Sequence, residues 1–102
     1  MNDNLLPDNP GAKEEFRPLL EGGAFRLEHI VSHGECSPPG FWYDQEQEEW
    51  VALLRGEAML AYDDGSRQSL SPGDAVLIPA HRRHRVESVS TDAVWLALHF
   101  SR

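Results

Sequence analysis

The chain has 102 residues, enough for one domain with one modest hydrophobic core. Seventeen acids against nine Lys and Arg leave a formal net charge of -8. This balance speaks against general binding to nucleic acid or anionic membranes, because phosphates reward clustered cations. Cys36 is the lone cysteine, so no disulfide can form within the chain, and a reducing cytoplasm is the expected location. The start, MNDNLLPDNPGAKEEF, has neither the basic nor the apolar part of a signal peptide, so none is expected. No apolar run reaches the roughly 18 residues of a membrane helix.

Residues 1–12 hold Pro7, Pro10 and Gly11 among polar residues and predict an irregular stretch. In 13-KEEFRPLL-20, Phe16, Leu19 and Leu20 fall at helical spacing, interrupted by Pro18. Together with Gly22 and Gly23 these features predict an N-terminal arm or short helix over residues 1–23.

From residue 24 the texture changes to short apolar runs separated by turn signals, which predicts an all-β domain over 24–102. In 24-AFRLEHIVS-32, Phe25, Leu27 and His29 alternate with Arg26 and Glu28. The stretch 37-SPPG-40 reads as a turn or polyproline element. Strands follow at 49-EWVALLR-55 and 57-EAMLAY-62. Asp63, Asp64 and Gly65 mark a hairpin turn, because Asp and Gly tolerate positive φ. After 67-RQSL-70, the tetrapeptide 71-SPGD-74 fits a type II turn. The last strands are 75-AVLIP-79, 84-HRVESVS-90 and 93-AVWLALHF-100. The last of these is apolar on both faces, which predicts cover on both sides, as in a barrel, a sandwich or a dimer interface.

Two segments resemble motifs of the cupin family. Glu49, the residues 50-WVALLR-55 and Gly56 resemble the tail of the first motif. Gly73, Pro79 and His84 within 73-GDAVLIPAHRRHRV-86 resemble the second. The resemblance implies a double-stranded β-helix, the jelly-roll barrel of cupins, and a homodimer. It also implies a metal site. Where cupins carry His-x-His before the Glu, this chain has Tyr43 and Gln45 in one alignment, or Trp42 and Asp44 in the other. Tyr43, Gln45, Gln47 and Glu49 share strand parity; a turn or bulge would instead favour Asp44. His81 stands where the second motif has Gly, so its backbone must accommodate a conformation suited to Gly.

Gln45, Glu49 and His84 are thus the candidate ligands of a divalent ion (Mn, Fe, Zn or Ni), with Tyr43 as a fourth group or behind them. A polar cavity that has lost its metal is the alternative. Tyr43, Asp44, Gln45 and Arg85 are candidate pocket residues. Arg82, Arg83 and Arg85 flank His84 and could attract an anionic metabolite. His29, His81 and His99 are read as structural or surface histidines, and Glu46 and Glu48 as solvated. Trp42, Trp50 and Trp95 are assigned to the core or a dimer interface. The family hosts enzymes and non-catalytic ligand sensors on one barrel, so both remain open. A small-molecule ligand is expected, with no organic cofactor and no nucleic-acid or membrane partner.

Overall fold

The computed structural model describes residues 5–6 and 14–101. Eight strands follow one another: β1 (Glu15–Glu21), β2 (Phe25–Val31), β3 (Glu48–Arg55), β4 (Ala58–Tyr62), β5 (Arg67–Leu70), β6 (Ala75–Ile78), β7 (His84–Val89) and β8 (Val94–Phe100). They form a five-stranded sheet of order β1-β2-β8-β3-β6 and a three-stranded sheet of order β5-β4-β7. Every strand pairing is antiparallel. Among the described residues there is no helix, and so none long and apolar enough to cross a membrane.

The helical expectation near the N-terminus is overturned. Residues 15–21 are a strand at the edge of the larger sheet, paired with β2. Pro18 is acceptable there because an edge strand has one side on which no N–H need be donated. The register shifts between Pro18 and Leu20. This bulge inserts one residue and breaks the strict alternation that would have identified a strand. The irregular stretch expected over 1–12 lies outside the described residues, Leu5 and Leu6 excepted.

The core lies between the sheets. Leu53, Val51, Trp95 and Ala97 from the larger sheet meet Leu60, Ala58 and Leu70 from the smaller. The turns follow their residues. The backbone N–H of Gly65 donates to the Tyr62 carbonyl and that of Asp74 to the Ser71 carbonyl, with φ of 90° at Gly65 and 95° at Gly73.

On β2 the inner face of the larger sheet also carries charged residues. Along β2, Arg26, Glu28 and Ile30 face the space between the sheets, so Phe25, Leu27 and His29 take the outer face. Across that outer face runs an unbroken apolar row, Leu20–Leu27–Leu98–Trp50–Leu77, each residue opposite the next on a neighbouring strand. Leu20, Trp50 and Leu77 are 61%, 38% and 41% exposed.

Two motif glycines test the packing. Gly56 and Gly73 both have φ near 90°, at 87° and 95°. A Cβ at Gly73 would meet nothing within 4 Å, whereas one at Gly56 would overlap the Ser90 hydroxyl and lie 2.9 Å from the Ala93 Cα. Gly73→Ala should therefore cost only the left-handed backbone penalty, roughly 1–2 kcal/mol. Gly56→Ala should cost clearly more, because backbone must move. Urea denaturation of both variants checks the order.

Candidate functional site

The acid- and amide-rich segment before β3 is tied to the start of β7 by a single antiparallel bridge. The Tyr43 N–H donates to the His84 carbonyl at 2.7 Å, and the His84 N–H donates back at 3.1 Å. Their rings stack with centroids 5.5 Å apart. Two residues on, the Gln45 carbonyl accepts from the His81 N–H at 2.8 Å. His81 adopts φ of 64°, the left-handed conformation that glycine takes most easily. Its ring nitrogen Nδ1 lies 2.8 Å from Asp44 Oδ1, so contacts on both backbone and side chain hold the unusual conformation.

This pairing places the candidates. Tyr43, Gln45, Glu49 and His84 all line one cavity of about 330 Å³ between the sheets. Asp44 does not line it: alternation turns its side chain outward to His81. Gln47 departs from its expected parity, because the chain bends at residues 46–47, and its Nε2 donates to Ser101 Oγ at 3.3 Å. Glu46 is exposed and Glu48 half-buried.

The expected arginine rim is not at the cavity. Arg85 donates to the Ser37 and Pro38 carbonyls at 2.8 and 3.3 Å, fastening the 37–38 loop. Arg82 lies 4.2 Å above the Tyr62 ring and 3.4 Å from Asp64. Arg83 is exposed and does not line the cavity. Side chains alternate along β7, so Arg85 points away from the side that His84 takes.

Two residues read as structural or given no role belong to the site. His99 on β8 stands opposite Glu49 on β3, and its Nε2 lies 3.0 Å from Glu28 Oε1 and 3.8 Å from Glu49 Oε2. Glu28 also holds Arg26 Nη2 at 3.5 Å. The signal in the sequence was the parity of His99 with Trp95 and Ala97, but only the strand register brings it to Glu49. His29 lies on the outer face, with Nε2 2.6 Å from the Leu5 carbonyl. Trp95 is buried in the core, Trp42 is half-buried, and Trp50 sits in the outer apolar row.

Glu49 is the electrostatic centre. His84 Nε2 lies 3.5 Å from its Oε1, while His84 Nδ1 is 2.9 Å from the Arg82 carbonyl. A carbonyl only accepts, so Nδ1 carries a proton. In the neutral ring, Nε2 would then turn a lone pair toward a carboxylate. Burial pushes the His84 pKa down, but the Glu49 contact, the Arg82 carbonyl and the Glu49 charge together raise it above 6.5. At the mouth, burial raises the Tyr43 pKa, helped by the charges of Glu14 and Glu49, so the phenol stays a donor at neutral pH. Burial also raises the Glu14 pKa, against a hydrogen bond from Ser32.

The donor set bears on metal binding. Among the described residues, no three His, Cys, Asp or Glu side chains are grouped to hold an ion, and His99 Nε2 is engaged by Glu28. Gln45 Oε1, however, is buried in the cavity wall without a hydrogen-bond partner. Such an orphaned acceptor costs roughly 1–3 kcal/mol unless something fills the role of donor. Gln45, Glu49 and His84 all line this cavity, and amide oxygen, carboxylate and imidazole are donor types that a divalent ion accepts. These residues fit one cation with an incomplete protein shell.

Residues 27–99 match the family model described as Cupin domain. The chain belongs to the cupin family. Over its whole length this cupin is similar to a crystal structure from Ralstonia eutropha JMP134, of a protein provisionally named a mannose-6-phosphate isomerase. Identity is 40%, the TM-score is 0.92, and the match covers 100% of this chain and 99% of that one. A cupin superfamily protein from Desulfitobacterium hafniense DCB-2 is 16% identical, with a TM-score of 0.79 over 94% of this chain and 84% of that one. KdgF from Halomonas sp. is 18% identical, with a TM-score of 0.74 over 93% and 86%. The last two likenesses concern the fold alone. No curated protein matches the chain.

The raised His84 pKa has a measurable sign. The stability it contributes is complete below the unfolded value near 6.5 and is lost as pH rises through the higher folded value. Imidazole NMR titration should place His84 above 6.5, and Glu49→Gln should bring it down. The stability gap between wild type and Glu49→Gln should then shrink as pH is raised from 6 to about 9.

Proposed function

We propose that this cupin binds a small metabolite in the cavity between its sheets, beside one divalent metal ion held by His84, Glu49 and Gln45. The observation that supports the metal is the buried, unpartnered Gln45 Oε1 on the wall that also carries the Glu49 carboxylate and His84 Nε2. One imidazole and two oxygen donors make a hard, weakly retaining site, suited to an ion such as Mn²⁺ with water in its remaining positions. When bound, the ion would polarise an oxygen of the metabolite. Tyr43, kept protonated at the mouth, supplies a hydrogen bond to orient it.

A second reading, a ligand-binding barrel without metal, is favoured by the lack of a three-member His, Cys, Asp or Glu group among the described residues. In that case a proton on His84 satisfies Glu49, and a ligand donor satisfies Gln45. The name of the Ralstonia relative would bring a sugar phosphate to this cavity. The one guanidinium on the described wall, Arg26, is already paired with Glu28, so that substrate is not carried over.

The metal is tested by calorimetric titration of chelator-treated protein with Mn²⁺ and Zn²⁺. Saturable binding near one ion per chain is expected, lost in His84→Ala and weakened in Gln45→Leu. Absence of binding to the wild type leaves the metal-free reading.

The cupin is proposed to act in the cytoplasm, in keeping with its free, exposed Cys36. It is also proposed to form a homodimer through the outer row Leu20–Leu27–Leu98–Trp50–Leu77, which has no charged member. Copies carrying a net charge of -8 repel each other over most orientations. This apolar row is where a second copy meets no acid. Light scattering should find a dimer, and Leu98→Lys should give a monomer with an intact cavity.

A further inference from the structure

Among the described residues, few groups that a phosphate or carboxylate would seek stand on the cavity wall. Three carboxylates, Glu14, Glu28 and Glu49, face the cavity, and Arg26 is the one Lys or Arg side chain among the described lining residues. Arg26 is held 3.5 Å from Glu28 Oε1, at the end of the carboxylate that also engages His99. The arginines beside His84 are directed to Tyr62, Asp64 and the 37–38 carbonyls. Without a metal, the three carboxylates outnumber Arg26 among the described lining residues.

What the wall does offer is acceptors and apolar surface. Gln45 Oε1 awaits a donor, and Glu49 and Glu28 can each accept further bonds. Val51, Leu60, Ile78 and Trp95 form the apolar remainder. Hydroxyl groups on a carbon skeleton fit this combination: each O–H donates to an oxygen of the wall while the C–H face packs on the hydrocarbon.

We infer that the cavity takes an uncharged, hydroxyl-bearing small molecule and excludes its phosphorylated counterpart, with Glu14, Glu28 and Glu49 supplying the repulsion and Glu28 offsetting the charge of Arg26. This rests on the ligand-binding reading of the same cavity but not on the presence of metal. Like charge facing like charge in a partly desolvated cavity is a strong discriminator, and truncating one carboxylate weakens it.

The test follows the Trp95 indole N–H by NMR, since that ring lines the cavity. Glycerol, D-mannose and myo-inositol are titrated beside their monophosphates and inorganic phosphate, at matched ionic strength, into chelator-treated protein, where the carboxylates are not offset by a metal. At least one parent polyol should shift the Trp95 signal saturably, and its ester should bind about tenfold more weakly or not at all. Glu28→Gln should narrow that gap by about tenfold, while Arg83→Ala, exposed and outside the cavity, should leave it unchanged. Should Glu28→Gln fail to fold by circular dichroism, Glu14→Gln reads the same repulsion. An ester that binds the wild type as tightly as its parent overturns the inference, and so does silence from every polyol. Metal binding is read separately by calorimetry. Its failure leaves the anion exclusion standing, and failure of the exclusion leaves the metal reading standing.

Discussion

A carboxylate enclosed in a β-barrel must be answered by a donor or a cation, and Glu49 sets that demand here. The β3–β8 register puts His99 opposite it. The Tyr43–His84 bridge brings the second imidazole to its other oxygen. The remaining contacts are ordered around these two. His99 leans on Glu28, Glu28 on Arg26, and His84 on the Arg82 carbonyl. The chain of contacts leaves Gln45 Oε1 as an acceptor with no donor among the described residues.

The same sheet explains why the polar chemistry is inside and apolar surface outside. Alternation gives the inner face of the larger sheet both the polar residues of the cavity and the apolar residues of the core, while Leu27, Leu98 and Trp50 fall on the outer face. On β2 the polar set turns inward and Leu27 outward; on β8 His99 turns inward and Leu98 outward. A monomer gains little from an exposed row of leucines and Trp50, whereas an assembly buries it. Cavity and outer face are therefore opposite sides of the same residue pattern. A one-residue slip would exchange them.

His81 shows how a departure from the family pattern can be accommodated. Its left-handed backbone would suit glycine, yet the chain keeps a histidine and secures it through the Gln45 carbonyl and Asp44. Asp44 therefore serves the turn from outside, while its neighbours Tyr43 and Gln45 serve the cavity. These contacts lie beside the Tyr43–His84 bridge that positions His84.

The sequence by itself determined the all-β class, seven of the eight strands, both glycine turns and the family. Alternation and turn chemistry are local and written in neighbouring residues. It also singled out Tyr43, Gln45, Glu49 and His84, because motif spacing carries strand parity. The eighth strand was hidden by Pro18 and a bulge, which disturb the period that marks a strand. Only the tertiary structure decided that His99 and Glu28 join the site, that Asp44 and the arginines leave it, and which face of β2 is interior. Parity says which side chains travel together. Which side they take, and what stands opposite, depends on the register of strands distant in sequence.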